Sequence, residues 1–448
     1  MSFRIGETDV NAGSLSRQKN RLAVLADSRG AQWHSDVTKL TRAGYNHRVP
    51  GDCLAGRRTI MVGNFGVSGE RSDQIISRLD LALASMCGTL DLQMGVNDVA
   101  QATAGYTAVG GPMAGQAITL TNVLTMMLAN VETIIIAAVK ANVPNIILTL
   151  DPGAGNMNAT QVGIILRYNQ GLREFAERYP GVVTFDLPAY VWSPTTSTSA
   201  AFAYITGAHL SESGAFVHEG AIGAQLAGVG YAQLLTSIMP ALPRNFRSNA
   251  EQNSALNKTG LLLNPLFTTV SGGTVGTGIT GPVPASWVAS RGSGGSGSAT
   301  ATITTQANPE GFGNELVVAC TFAGAADVIY IGQDVPNADW DIGTIVEGGS
   351  QIVVDSGSVN LAGVEEFLQN AWNSGSISNY AMDNYQRGEA GLQTGYKYDL
   401  LTQPLLCAQP VPNATKSWLT KRIQIKGAGA GSATVRIRTS QIRKRFSL

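Results

Sequence analysis

Short runs of apolar residues recur through the first half of the chain, and each is followed by small or polar residues. Because these runs contain few polar positions, they are typical of strands buried on both faces of a parallel sheet. Five such runs predict strands, at residues 21–27, 59–65, 89–94, 145–151 and 182–187. Helical patterning lies between and after them, at residues 70–86, 118–142, 158–179 and 220–238. Strands alternating with helices predict a doubly wound α/β fold with a parallel sheet.

The hydrophobic pattern changes near residue 243, where a polar segment predicts a linker. Beyond it, short alternating strand patterns are interleaved with Gly-rich runs, which favours a β-sandwich with tight turns. Flexible glycine linkers are the alternative interpretation of those runs. We therefore expect an N-terminal arm, an α/β domain, a linker and a β-sandwich, at residues 1–20, 21–242, 243–258 and 259–448.

Three of the predicted strands end in residues that suit one active site. Ser28 follows the first strand, Gly69 closes the turn Asn-Phe-Gly-Val-Ser-Gly after the second, and Asn97 lies in Gly-Val-Asn-Asp after the third. Since the carboxyl ends of parallel strands share one edge of a sheet, these residues should converge. A hydroxyl nucleophile with two candidate oxyanion donors is most of an acyl-transfer site. Each motif alone also fits an ordinary helix cap or turn.

Two histidines near the middle of the chain could supply the general base. His209 and His218 are each followed by Gly-Ala at the same spacing. We favour His218, because the last helix would then begin just after it and span about 19 residues. A helix beginning at His209 would span about 30 residues and include several glycines, at ~1 kcal/mol each. His34 and His47 are expected to be surface residues away from this site.

These motifs resemble those of the SGNH hydrolase family, the GDSL-type esterases and lipases, over about residues 20–240. That family carries Gly-Asp-Ser, Asn-x-Gly-x-Ser-Gly, Gly-x-Asn-Asp and a late Asp-x-x-His. The resemblance implies a three-layer, flavodoxin-like fold with Ser28 as the nucleophile. It also implies that the Ser28 N–H, Gly69 and Asn97 are the oxyanion donors, and that no metal or organic cofactor takes part. Ala26 stands where the family has glycine, which is a mild change.

The last motif departs further from the family pattern. The aspartate three residues before the histidine is absent, because those positions are Thr206 and Ala215. The histidine therefore lacks the acid that usually orients it. A backbone carbonyl could orient it, or Glu212 or Glu219 could replace the missing acid. The third possibility is an inactive site.

Composition narrows the set of partners. The net charge is zero over 448 residues, so no broad basic field favours nucleic acid, and the basic C-terminal run is expected to be a solvated end. The four cysteines show no metal spacing and are expected to be free buried thiols. The apolar segment 118–143 is interrupted by polar residues, which predicts a buried helix and no membrane partner. The N-terminus has no signal-peptide pattern.

The C-terminal half resembles the carbohydrate-binding-like β-sandwich of some bacteriophage virion proteins, through Asn-Pro-Leu-Phe at 264–267 and the Gly/Pro-rich segment 281–287. Trp287, Trp340 and Trp372 could stack on sugar rings, although sandwich tryptophans are more often core residues. We expect a serine esterase or deacetylase acting on a bacterial surface glycan, in a bacteriophage virion or tail protein. The alternative is a catalytically inactive structural or receptor-binding virion protein with the same fold.

These expectations extend to assembly and location. We expect a homo-oligomer or an assembly with other virion proteins. The expected location is the virion or the extracellular space without a signal peptide, or the cytoplasm if the protein is not phage-derived.

Restoring the missing acid should raise esterase activity, because a carboxylate on the far ring nitrogen fixes the tautomer and stabilises the imidazolium. Ala215→Asp should do so if His218 is the base, and Thr206→Asp if His209 is. A gain of ~10-fold in kcat on a small acetyl ester, about 1.4 kcal/mol of barrier, would identify the base. If the wild type is active and neither folded variant gains, another group already orients the histidine.

Overall fold

The computed structural model describes most of the chain, and all structural statements refer to that part. It covers residues 2–5, 8–11, 17–31, 46–56, 58–193, 204, 209–210, 218–219, 221–241, 260–310, 313–372, 375–381, 397–401, 405–407 and 416–444. The described residues form two compact units, drawn from Met1–Ala31, Arg58–His218 and Leu234–Leu242, and from Gln32–Arg57, Glu219–Gln233 and Pro243–Leu448. The independent folding of residues 21–242 and of 259–448 stays a prediction.

Nine strands lie in the N-terminal half of the described chain before residue 190. They are β1 (Ser2–Ile5), β2 (Thr8–Asn11), β3 (Arg21–Ala26), β4 (Ile60–Asn64), β5 (Thr89–Gln93), β6 (Tyr106–Thr107), β7 (Ala117–Ile118), β8 (Asn145–Thr149) and β9 (Val182–Phe185). A five-stranded sheet has the order β4-β3-β5-β8-β9, with parallel pairing throughout. This order is that of flavodoxin-like folds, so the predicted α/β architecture is confirmed. β1 pairs with β2, and β6 with β7, as antiparallel hairpins.

The described helices follow the predicted pattern in outline. They are α1 (Ser28–Ala31), α2 (Arg48–Leu54), α3 (Ser72–Ile75), α4 (Leu79–Ala84), α5 (Val96–Ala102), α6 (Val123–Lys140), α7 (Ala159–Arg178), α8 (Pro188–Val191) and α9 (Ala221–Ile238). The helix predicted at 70–86 is divided by a 3₁₀ turn at Ile76–Arg78. Ser77 Oγ donates to the Gln74 carbonyl there, at 2.6 Å. Such local bonding competes with regular helical bonding.

The predicted start and end of α7 are confirmed. Asn158 caps the helix by accepting from the Gln161 N–H at 3.1 Å, and Gln161 Oε1 accepts from the Asn158 N–H at 2.8 Å. This reciprocal capping box is encoded within four residues, which explains why the sequence reveals it. By contrast, α6 begins five residues later than predicted from 118, because β7 takes up the start of that segment.

Apolar side chains from the sheet and from α6 and α7 form the core of the first unit. All five residues of β5 and of β8 are buried, as expected for strands covered on both faces. Within the described chain, α6 is the helix whose length and composition would suffice to cross a membrane. Its residues Met126, Val131 and Ile134 are instead buried in this core, which agrees with the predicted buried helix.

The remaining strands, apart from one short pair, form a β-sandwich. The short pair is β10 (His209–Leu210) with β11 (His218–Glu219). The sandwich strands are β12 (Thr274–Val275), β13 (Ile279–Thr280), β14 (Val288–Arg291), β15 (Thr300–Ala307), β16 (Asn314–Phe322), β17 (Val328–Val335), β18 (Ile345–Val354), β19 (Val359–Trp372), β20 (Gly375–Ala381), β21 (Lys397–Leu401), β22 (Leu405–Leu406) and β23 (Lys416–Lys444). The Gly-rich runs at 271–278 and 293–298 connect or belong to strands, so they act as turns.

The long strand β23 pairs with four strands in two successive parts. Its first part, through Lys426, pairs with β17 and β19, and its later part, from Gly431, pairs with β16 and β18; β19 also pairs at Gly427 and Ser432. A Gly-Ala-Gly-Ala-Gly segment lies between the two parts. A Cβ at Gly427 would lie 2.6 Å from the ring of Phe322, so only glycine permits this approach.

Two of the three tryptophans considered for sugar stacking are core residues. Trp287 and Trp340 are each 1% exposed, and Trp287 Nε1 donates to the Asn264 carbonyl at 3.1 Å. Trp372 is partly buried. Cys87, Cys320 and Cys407 are free buried thiols, whereas the side chain of Cys53 lies outside the described part.

Candidate active site

Ser28 lies at the point where β3 ends and α1 begins. The Asp27 N–H donates to the Gln93 carbonyl of β5 at 3.1 Å, which holds this junction against the neighbouring strand. Asp27 Oδ1 then accepts from the Arg29 N–H at 2.9 Å. Because Asp27 supplies this capping bond, the Ser28 side chain is not needed as the cap. The Ser28 hydroxyl is therefore available for another partner.

That partner is His218. Its Nε2 atom lies 3.0 Å from Ser28 Oγ, within the first unit. His218 opens β11, which pairs with β10. The side chain of His209, the alternative base, lies outside the described part of the chain, as do Thr206, Glu212 and Ala215. A serine hydroxyl and an imidazole at hydrogen-bond distance are the geometry of an activated nucleophile.

The glycine-rich motif after β4 packs directly on α1. Asn64 Nδ2 donates to the Gly30 carbonyl, and Asn64 Oδ1 accepts from the Gly66 N–H, both at 2.9 Å. A Cβ on Gly66 would lie 2.3 Å from the backbone nitrogen of Ala31. Glycine is therefore required at position 66 for this motif to approach the segment that carries Ser28.

Gly69 and Asn97, the two other candidate oxyanion donors, belong to one hydrogen-bonded substructure. Gly69 is exposed and has a φ of +81°, in the left-handed region that favours glycine. Its carbonyl accepts from Gln101 Nε2 at 2.9 Å. Asn97 Nδ2 donates to the carbonyl of Glu70 at 3.0 Å. Helix α5 therefore contacts the loop that carries Gly69 through two amide side chains.

Asp98, next to Asn97, holds the same loop from the buried side. Its carboxylate accepts from the Ser72 N–H at 3.0 Å and from Ser72 Oγ at 2.7 Å. Asn130 Nδ2 donates to the same hydroxyl at 3.0 Å. Burial, with a smaller contribution from the charge of Asp73, raises the pKa of Asp98 to about 7. Asp98 is thus a structural carboxyl under the candidate site.

A buried ion pair beside Ser28 was not anticipated from the sequence. Arg29 Nη1 donates to Asp151 Oδ1 at 2.8 Å, and Arg29 Nη2 donates to the Gly153 carbonyl at 2.5 Å. Burial opposes the charge on the guanidinium, yet Asp151 and Asp27 raise the pKa of Arg29 overall. Asp151 follows β8, so the rule that strand ends share an edge could have drawn attention to it.

The expectation that His47 is a surface residue is wrong. His47 is fully buried, and its ring atom Nδ1 lies 2.8 Å from Glu219 Oε1. The backbone N–H of His47 donates to Glu219 Oε2 at 3.0 Å. Its ring also contacts Tyr231 edge-on, with centroids 5.0 Å apart. The carboxylate partner is what makes this burial favourable. Both oxygens of Glu219 contact His47. Because successive side chains of a strand point to opposite faces, Glu219 and its neighbour His218 in β11 point to opposite faces.

Among the residues that the structure describes, no group of three or more His, Cys, Asp or Glu side chains has an arrangement that could hold a metal ion.

No protein-family model matches the sequence, and no curated protein matches it significantly. Similar solved structures include a GDSL-like lipase from Bacteroides thetaiotaomicron, 17% identical over 49% of this chain and 89% of that chain, with a TM-score of 0.33. A structure of carbohydrate-binding modules of the β-sandwich superfamily is 16% identical over 35% of this chain and 56% of that one, with a TM-score of 0.27. The enzymatically active domain of tailspike protein 4 of bacteriophage CBA120 is 11% identical over 42% of this chain and 22% of that one, with a TM-score of 0.26. All three TM-scores lie below 0.5, so we base neither fold nor function on them.

The Asp98→Asn variant should change how stability depends on pH. Between about pH 4, near the unfolded pKa, and about pH 7, the folded state keeps a proton on Asp98 that the unfolded state releases. The free energy of unfolding of the wild type, relative to Asp98→Asn, should therefore fall as pH rises through this range. Urea unfolding at several pH values, followed by circular dichroism, measures both. Parallel profiles of the two proteins would contradict the raised pKa.

Proposed function

We propose that this protein is a serine ester hydrolase of the SGNH type. The observation that carries the proposal is the 3.0 Å contact between His218 Nε2 and Ser28 Oγ at the carboxyl edge of the parallel sheet. The motifs after β4 and β5 add support, because both lie at that edge in the order expected for oxyanion donors. Membership of the SGNH family is part of the same proposal.

In the proposed reaction, His218 removes the proton of Ser28 as its oxygen attacks the ester carbonyl carbon. The N–H groups of Ser28 and Gly69 and the amide of Asn97 stabilise the oxyanion. His218 then gives the proton to the departing alcohol, which leaves an acyl group on Ser28. Water, deprotonated by the same imidazole, then attacks the acyl carbon. The bond to Ser28 Oγ breaks, His218 returns the proton to that oxygen, and the acid leaves.

The contact made by Asn97 is compatible with this role. A side-chain amide has two N–H donors, and one of those of Asn97 already donates to the Glu70 carbonyl at 3.0 Å. That bond restrains the amide and leaves its second N–H for the oxyanion in the proposed reaction. Preorganised donors of this kind need no reorientation as negative charge develops.

The orientation of His218 is the part of the proposal in which this chain differs from the family pattern. Loss of the orienting acid costs ~10⁴ in rate in a Ser-His-Asp enzyme, and the remaining groups still retain substantial catalysis. We propose a Ser28–His218 dyad whose imidazole is oriented by a group other than an aspartate at position 215. Glu219 is a weak candidate, since His47 contacts both of its carboxylate oxygens.

We further propose that the ester belongs to a bacterial surface glycan, as an acetyl or similar group, and that the protein acts as part of a bacteriophage virion or tail. The sequence resemblance of the C-terminal half to carbohydrate-binding-like sandwiches of virion proteins supports this. Homo-oligomers or other virion proteins would be its partners, without nucleic acid or membrane. The absent aspartate instead favours the second candidate, an inactive structural or receptor-binding virion protein.

Hydrolysis of a small acetyl ester and of an O-acetylated polysaccharide tests the proposal. The wild type should turn over at least one of them. Ser28→Ala lacks the attacking oxygen and His218→Gln lacks the base, so each should lose at least ~10³-fold in kcat. Ser85→Ala, a substitution of another serine far along the chain, should retain wild-type kinetics. Equal rates for wild type and Ser28→Ala would reject the esterase and favour the inactive virion protein.

A further inference from the structure

Helix α5 contacts the loop from Gly69 to Ser72 through three polar side chains. Asn97 Nδ2 donates to the Glu70 carbonyl at 3.0 Å, and Gln101 Nε2, one helical turn further on, donates to the Gly69 carbonyl at 2.9 Å. Asp98 accepts from the Ser72 N–H at 3.0 Å. Bonds to the backbone at residues 69, 70 and 72 together define the course of the loop.

Of these three side chains, Gln101 is the one that bonds to Gly69 itself. Packing does not hold Gly69, since a Cβ built on it would have no atom within 4 Å. Glycine at a φ of +81° also has wide conformational freedom. The bond from Gln101 therefore restrains a residue whose backbone would otherwise rotate easily.

The orientation of the Gln101 amide is itself determined by a neighbour. Arg71 Nη1 donates to Gln101 Oε1 at 2.6 Å. Because a guanidinium has donors only, the amide oxygen must face Arg71, and the NH₂ group must then face the Gly69 carbonyl. The usual ambiguity between the two ends of a glutamine amide is thereby removed.

Arg71 is in turn held by three further contacts. Its Nε and Nη2 donate to the two carboxylate oxygens of Asp73, at 2.9 and 3.2 Å. Its guanidinium lies over the ring of Tyr106, 4.0 Å from the centroid. Asp73 also accepts from the Val109 N–H at 2.8 Å. A rigid chain of contacts thus runs from Asp73 through Arg71 and Gln101 to Gly69.

We propose that Gln101 is a positioning residue for the oxyanion-hole backbone at Gly69. The proposal rests on the proposed esterase function. These bonds hold the peptide units that follow the Gly69 Cα atom, and the Gly69 N–H is joined to them through that same Cα. The bond from Gln101 therefore fixes the place of the Cα from which the N–H is directed. Release of Gln101 lets the Cα and its N–H shift, which weakens transition-state stabilisation more than substrate binding.

Two substitutions separate the two bonds of Gln101. Gln101→Glu keeps an oxygen for Arg71 but has no donor for the Gly69 carbonyl, whereas Gln101→Met removes both bonds without adding charge. Outright loss of an oxyanion donor costs 10²–10³ in kcat, so a misdirected one should cost ~10-fold. We expect this loss of kcat in both variants, with KM within about twofold of wild type.

Thr103→Ala is the matched control. It removes the bond that Gln161 Nε2 donates to Thr103 Oγ1 at 3.0 Å, at the end of the same helix, and leaves the Gly69 loop untouched. Rates on a small acetyl ester are normalised to active sites titrated with a fluorophosphonate, and thermal midpoints are measured in parallel. Thr103→Ala should keep the wild-type kcat, and the two Gln101 variants should unfold no earlier than this control.

Several outcomes overturn the proposal. A wild-type kcat in Gln101→Met would show that Gly69 does not need this bond, even if Gln101→Glu is slower because of its charge. A wild-type kcat in Gln101→Glu alone would assign the effect to Arg71. If Thr103→Ala loses as much kcat as the Gln101 variants, the effect is general to α5. A wild type no faster than Ser28→Ala overturns the esterase function and this proposal with it.

Discussion

Parallel pairing of β3 with β4 on one side and β5 on the other is the constraint on which the site depends. It brings three strand ends, and the polar segments that follow them, to one edge of the sheet. The Asp27 N–H bonded to the Gln93 carbonyl extends the pairing up to the residue before Ser28. This pairing explains why the segments that carry Ser28, Gly69 and Asn97 all follow strands that end at the same edge.

Around that edge, side chains that do not react fix the positions of those that are proposed to react. Asn64 joins the loop after β4 to α1, and α5 holds Gly69 to Ser72 through side-chain bonds. Arg29 joins α1 to the loop after β8 through Asp151. These contacts restrain backbone and amide groups, so the donors can be in place before negative charge develops. Buried polar networks of this kind are favourable only when their members find partners.

Features encoded locally could be predicted from the sequence. The Asn158 cap of α7 is one example, because its bonding partners are three residues apart. The five strands of the parallel sheet and the position of Ser28 at a strand end follow from short patterns and from the edge rule. The preference for His218 rests on the glycine content of the helix that follows, which is again a local property. In the structure, His218 Nε2 lies 3.0 Å from Ser28 Oγ, the distance expected of a base beside its nucleophile. Its catalytic role stays a prediction.

Pairings between distant residues could not be predicted, because one sequence carries no measure of distance between its parts. Arg29 and Asp151 are 122 residues apart, and His47 and Glu219 are 172 apart. His47 was expected on the surface because a lone histidine gives no sign of a buried carboxylate partner. The bonds of Gln101 to Gly69 and Arg71 could not be predicted for the same reason, because nothing in its own segment distinguishes Gln101 from a solvated helix residue.

The central claim is that Ser28 is a nucleophile activated by His218. Reaction of the full chain with a fluorophosphonate, followed by intact-mass measurement and peptide mapping, tests it most directly. We predict a single adduct on Ser28, strongly slowed in His218→Gln and absent from Ser28→Ala. An adduct that persists in Ser28→Ala, or no adduct on the folded wild type, would contradict the claim.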